Sequence, residues 1–136
     1  VSAAFELDAR LAGDTLVVGD LPLCRVLLMR DSRFAWVVLV PRQAGLAEVA
    51  DLAEADRAAL WREVDQAGAA LRAVAPCDKL NIGALGNIVR QLHVHVVARV
   101  EGDAAWPGPV WGSGKAEPYS DIDAFAERVR RALLPG

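Results

Sequence analysis

Basic residues do not outnumber acidic ones in this chain: Lys and Arg total 15 against 18 Asp and Glu, a formal net charge of −3. That balance provides no positive field for duplex nucleic acid, whose affinity grows with the number of phosphates neutralised. A small anionic ligand stays within reach, because one pocket need not share the overall sign. Long apolar runs are also missing. Stretches such as Ala35 to Pro41 fall far short of the ~20 residues that span a bilayer, so no membrane partner is expected. The first residues carry neither a basic n-region nor an apolar h-region, so no secretory signal is expected. Cysteine is scarce: Cys24 and Cys77 stand alone, without a CxxC. A disulfide framework and a cysteine zinc site are both disfavoured. A reducing, cytoplasmic setting fits, with both thiols acting as small apolar residues.

What is present is apolar content, 54 % of 136 residues, enough for one core and one domain spanning residues 1–136. The two histidines of the chain, His93 and His95, lie inside an apolar run, Gln91-Leu92-His93-Val94-His95-Val96-Val97. Strict alternation from 91 to 96 predicts a β-strand, running to about Arg99. On a strand, residues i, i+2 and i+4 share a face. Gln91, His93 and His95 are therefore expected to point one way and Leu92, Val94 and Val96 the other. Imidazole suits proton transfer and covalent phosphoryl chemistry near neutral pH. Such a pair also suits zinc, but no third ligand stands nearby in the sequence, and Asn and Gln are poor zinc ligands. Neither a metal nor a cofactor is expected.

The surrounding pattern predicts a short helix over Phe5–Ala12 and strands over Asp14–Val18, Leu23–Met29 and Trp36–Val40. The continuous Val-Val-Leu-Val run of the third suggests burial on both faces, hence a central position. Arg30-Asp31-Ser32-Arg33 reads as a turn. A long helix is expected from about Leu52 to Val74. Leu60, Val64, Ala67, Leu71 and Val74 form one of its faces, Asp51 and Glu54 resemble a capping box, and Pro76 ends it. Its Arg57, Arg62 and Arg72 read as solvated charge. A strand over Lys79–Leu85 and a loop at Gly86-Asn87 follow. Residues Trp106 to Gly112 cannot be regular structure. Trp106, Pro107 and Trp111 suit either a lid near a base pocket, a contact with a partner, or an anchor for the tail. Ser120 then begins a last helix with Ile122, Phe125, Val129 and Leu133 on one face. Sequential strands with short turns favour antiparallel pairing, and the long helix serves as a crossover. The fold class expected is α+β, with about five antiparallel strands.

The pattern His-φ-His-φ-His-φ-φ, with φ apolar, is that of the histidine triad (HIT) family. This chain resembles it with Gln91 at the first position and His93 and His95 at the others. Asn81-Ile82-Gly83 resembles the family's Asn-containing strand, and Gly86-Asn87-Ile88-Val89 its Gly-Gln-Ser-Val loop. Trp36 to Arg42 resembles its apolar strand ending in Pro-Arg or Pro-Lys. The likeness covers roughly residues 20–100, leaving the tail and last helix, 101–136, outside it.

This resemblance implies a homodimeric HIT-like fold that binds a purine nucleotide or dinucleoside polyphosphate. Such proteins cleave a phosphate ester, anhydride or phosphoramidate through a nucleotidyl-histidine. By position, His93 matches the nucleophile and His95 the last histidine. Asn81 and Asn87 match groups at the α-phosphate. Gly86 lets the backbone approach the ligand, and Asp31 matches the acidic residue that holds the ribose. A nucleophilic His93 needs its other nitrogen protonated and held by a fixed acceptor, which the resemblance places at a backbone carbonyl. Gln91 hydrogen-bonds but cannot titrate. It substitutes if the first motif position serves orientation or phosphate contact. If that position shuttles a proton, its loss costs on the order of 10² to 10⁴ in rate, leaving a nucleotide-binding module with weak or no catalysis. In a related branch, the galactose-1-phosphate uridylyltransferases, Gln stands at the last position instead.

Overall fold

The computed structural model describes residues 4–134. Elements follow in the order α1 (Ala9–Asp14), β1 (Thr15–Asp20), β2 (Cys24–Met29), β3 (Ala35–Pro41), α2 (Glu54–Val74), β4 (Lys79–Gly83), β5 (Val94–Arg99) and α3 (Ile122–Leu133). The strands form one five-stranded sheet in the order β1-β2-β3-β5-β4, every neighbouring pair antiparallel. This is the α+β architecture the sequence predicts, with α2 crossing from β3 to β4.

Alternation on β3 explains its place at the centre. Val37 and Leu39 face α2 and α3, packing with Leu60, Val64, Leu71 and Val129. Val38 and Val40 face the other way, into a second cluster with Leu27, Trp36, Val97 and Leu11. Each such aliphatic side chain contributes about 1.5–3 kcal/mol by leaving water. On β5 the same alternation sends Val94, Val96 and Ala98 to the helices. His95 and Val97 are thereby directed to the opposite face.

Several boundaries differ from the sequence expectation, some of them through a hydrogen bond the pattern does not encode. The first helix begins at Ala9 rather than Phe5, because Asp8 caps it, accepting from the Arg10 and Leu11 amides. Phe5 and Leu7 instead lie along the second cluster. β1 extends to Asp20, its register shifting between Val17 and Gly19. The long helix starts at Glu54 with Ala53 as an N-cap that makes no side-chain bond. Asp51 serves the preceding 3₁₀ turn, accepting from the Ala47 and Glu48 amides at 3.0 and 2.8 Å. β4 ends at Gly83, two residues early. The histidine strand begins at Val94, not Gln91, because the Leu92 amide leaves the sheet for the Leu46 carbonyl at 3.0 Å. The last helix is capped by Asp121, which accepts from Ala124 at 3.1 Å, rather than by Ser120.

One buried charge joins helix and sheet. Glu63 of α2 accepts from the Leu23 and Cys24 amides at 2.9 and 2.8 Å. These bonds offset the cost of placing a carboxylate in the interior. Among the described residues no helix is long and apolar enough to cross a membrane.

Candidate active site

His93 stands in the segment leading into β5, nearly buried. Its Nδ1 lies 2.6 Å from the Gln91 carbonyl. A carbonyl can only accept, so Nδ1 carries the proton and the lone pair of the neutral ring resides on Nε2. His95, on β5 opposite Gly83 and Val38, is held in the reverse sense. Its Nδ1 accepts from the Trp36 indole N–H at 3.0 Å, which leaves Nε2 as the protonated nitrogen. Burial, with a smaller contribution from neighbouring His93, lowers the His95 pKa to about 4, so this ring is neutral at pH 7. The two rings meet edge to face, centroids 4.9 Å apart. The site thus pairs a lone pair on His93 Nε2 with an N–H donor on His95 Nε2.

Both imidazoles line a cleft of about 700 Å³. Its lining includes Leu11 and Asp14 of α1, Met29, Trp36 and the loop from Leu85 to Val89. Trp111 lies over His95 with centroids 5.4 Å apart. Gly83 permits this, since a Cβ there would come within 3.0 Å of the Trp111 ring. The Trp111 indole N–H is buried without a partner among the described residues. A smaller recess of about 370 Å³ reaches His93 from the side of Ala47–Ala50 and Gly86.

The expected site residues divide. His93, His95, Gly86 and Asn87 border the same cleft. Gly86 has φ +73°, while a Cβ there would meet only the Val89 carbonyl at 3.6 Å. Its requirement is therefore the left-handed backbone rather than lack of space. The Gln91 side chain does not join the imidazoles in the cleft. It bonds the backbone of Glu6 and Asp8. Asn81 lies away from the cleft lining, its Oδ1 accepting from Arg99 at 2.9 Å. Asp31 is also occupied, in an ion pair with Arg33 at 2.9 Å. Burial pushes its carboxyl up, but the Arg33 guanidinium and the Arg33 and Glu117 amides outweigh that and hold it below the usual range. It borders an adjoining recess that shares Asp14, Met29 and Trp36 with the histidine cleft.

Trp36, Asp14 and Arg10 are among the cleft residues that spacing alone did not single out. Trp36 was legible only as the start of a strand, and its bond to His95 depends on how β3 lies beside β5. The tail Trp111 does reach the cleft, whereas Trp106 packs by Arg99, 5.6 Å from its guanidinium carbon. Among the described residues no group of three or more His, Cys, Asp or Glu side chains is placed to hold a metal ion.

Comparison with known proteins places this chain among relatives. The HIT domain family model matches residues 10–102. A histidine triad protein from Bradyrhizobium japonicum is 44 % identical with a TM-score of 0.93, the match covering 96 % of this chain and 99 % of that one. A histidine triad (HIT) protein from Sinorhizobium meliloti is 50 % identical with a TM-score of 0.91, covering 95 % and 97 %. A hypothetical histidine triad nucleotide-binding protein from Sulfolobus tokodaii, 16 % identical, shares the fold with a TM-score of 0.67, covering 88 % and 83 %. A search of curated proteins finds no match.

Proposed function

Because the chain belongs to the HIT family, we propose that it is a nucleotide-binding hydrolase or transferase that works through a nucleotidyl-histidine at His93. The observation that carries this reading is the hydrogen bond of His93 Nδ1 to the Gln91 carbonyl. It holds the ring in the tautomer whose Nε2 can attack phosphorus, in a cleft large enough for a nucleotide.

In the first step Nε2 forms a bond to the α-phosphorus as the bond to the leaving oxygen or nitrogen breaks in line. The leaving group departs with the electron pair and takes a proton from the medium. The imidazole becomes cationic, and its Nδ1–H bond to the carbonyl strengthens as that charge develops. Water then attacks the same phosphorus, releasing one proton to the medium as the P–Nε2 bond breaks, and Nε2 leaves with its lone pair restored. Phosphoryl chemistry asks the protein mainly for position and charge stabilisation. His95 Nε2–H, Asn87 and the backbone at Gly86 supply donors to the non-bridging oxygens. Asn81 and Asp31 are engaged by Arg99 and Arg33, and none of these four lines the cleft.

The substrate class is a purine nucleoside phosphate, such as a dinucleoside polyphosphate or a nucleoside phosphoramidate. The Sulfolobus relative's description as nucleotide-binding supports the ligand class. The expected result is turnover of adenosine 5′-phosphoramidate or a dinucleoside polyphosphate that His93→Ala abolishes. A second reading, a nucleotide-binding module with little turnover, is favoured by one observation: Gln91 cannot titrate and its amide is engaged elsewhere. Micromolar nucleotide binding with no turnover would establish that second reading and overturn the first. The family resemblance also supports a homodimer, to be checked by sedimentation equilibrium.

A further inference from the structure

The glutamine that departs from the triad pattern is bonded to a distant part of the chain. Its Oε1 accepts from the Asp8 amide at 2.8 Å, and its Nε2 donates to the Glu6 carbonyl at 2.9 Å. A backbone amide only donates and a carbonyl only accepts, so these partners fix which end of the side chain is oxygen. A primary amide presents donor and acceptor side by side toward one extended segment. The two nitrogens of an imidazole diverge, and a carboxylate has no donor.

Two consequences reach the cleft. Asp8 is the N-cap of α1, accepting from the Arg10 and Leu11 amides at 2.8 and 3.4 Å. Arg10, Leu11 and Asp14 of that helix line the cleft, so the bonds to Gln91 hold one of its walls. The second consequence concerns the peptide unit between Gln91 and Leu92. Its carbonyl accepts from His93 Nδ1 at 2.6 Å. Its N–H donates to the Leu46 carbonyl at 3.0 Å. This planar unit is pinned at both ends, and the Gln91 side chain pins the residue that carries it.

We propose that Gln91 is a positioning residue and not a vestigial proton carrier. Its amide clasps residues 6–8, and its own carbonyl is thereby presented to His93 Nδ1 while α1 is kept against the cleft. The role assigned to the His93 tautomer rests on the reading of His93 as the nucleophile. The clasp itself does not.

The test uses Gln91→Ala and Gln91→His in the full chain, with β-sheet amide signals as the control for folding. In Gln91→Ala, exchange of the Asp8 amide is expected to accelerate tenfold or more. The ¹⁵N shifts of the His93 ring are expected to move from one tautomer to a mixture. With adenosine 5′-phosphoramidate, kcat is expected to fall about tenfold to a hundredfold, the scale of a small misplacement of a reacting group. KM is expected to rise as the α1 wall loosens. Gln91→His, of similar size, is expected to lower kcat as well. A rise in kcat for Gln91→His overturns the proposal, as does Gln91→Ala with Asp8 exchange and the His93 tautomer unchanged. Exchange and ring shifts need no substrate. A wild-type chain without turnover therefore removes the functional reading while these two measurements still decide the clasp. Should Gln91→Ala fail to fold, Gln91→His carries the same readouts.

Discussion

The Trp36 indole N–H donates to His95 Nδ1 at 3.0 Å, across 59 residues of sequence. One nitrogen of His95 is thus committed to the interior, and the proton goes to the other. Trp36→Phe keeps an aromatic ring, though a smaller one, and removes that donor. The expected outcome is a loss of about 1–3 kcal/mol from the unsatisfied buried nitrogen and a His95 ring that samples both tautomers. Urea unfolding and ¹⁵N spectra of the imidazoles measure the two effects. A ring still locked in one tautomer would refute the assignment.

Stability should depend on pH through His95. Its folded pKa is about 4, below the ordinary 6.5, so the unfolded chain binds the proton more readily than the folded one. Stability is then full above about pH 6.5, falls as pH drops toward 4, and gains no further loss from this group below that. The depression corresponds to about 3 kcal/mol at most. Urea midpoints at pH 7.5 and 4.5 check it, with His95→Asn as the comparison. The drop between those two pH values should shrink in the variant.

Gly83 and Trp111 should be coupled through space. A Cβ on Gly83 would come within 3.0 Å of the Trp111 ring, tighter than an ordinary contact, so Gly83→Val must push the indole off His95. Indole fluorescence should shift toward that of a solvated ring, and nucleotide affinity should fall several-fold. Unchanged fluorescence would mean that the tail accommodates a side chain there.

The Arg99–Asp103 pair anchors the start of the tail. Arg99 is 1 % exposed, with Asp103 at 2.8 Å and Asn81 at 2.9 Å. The Arg99 guanidinium, against the opposing effect of burial, holds the Asp103 pKa down to about 2. Asp103→Ala leaves a buried cation without its counterion, at a cost of about 3–5 kcal/mol. Asn81→Ala removes a single neutral acceptor from the Arg99 cation and should cost about 1.5–3 kcal/mol, less than loss of the counterion. Thermal melts of both variants test the order, and equal losses would contradict it.

Much of the architecture was legible in the residues. The Leu60, Val64, Ala67 and Leu71 stripe placed α2 on the sheet, and the uninterrupted branched run put β3 at the centre. Those signals are strong because burial repeats with the period of the backbone. Caps and strand ends were less legible. Asp121 rather than Ser120, and Val94 rather than Gln91, were selected by which amide found a partner. The candidate site was half legible. Alternation put His93 and His95 on one face, and the Gly86-Asn87 loop lies beside them. Asn81 and Asp31, polar and suitably placed by pattern, are instead engaged by Arg99 and Arg33.

By itself, the sequence determined the elements, the central strand and the common face of the two imidazoles, because a two-residue or 3.6-residue period is a local property of the chain. The tertiary structure alone decided what each ring nitrogen touches, and with it which nitrogen of each neutral ring carries the proton. Those partners, the Gln91 carbonyl and the Trp36 indole, acquire their roles only when a peptide plane is pinned by Leu46 and one strand is laid against another. Direction in a hydrogen bond is set by where the second group stands in space.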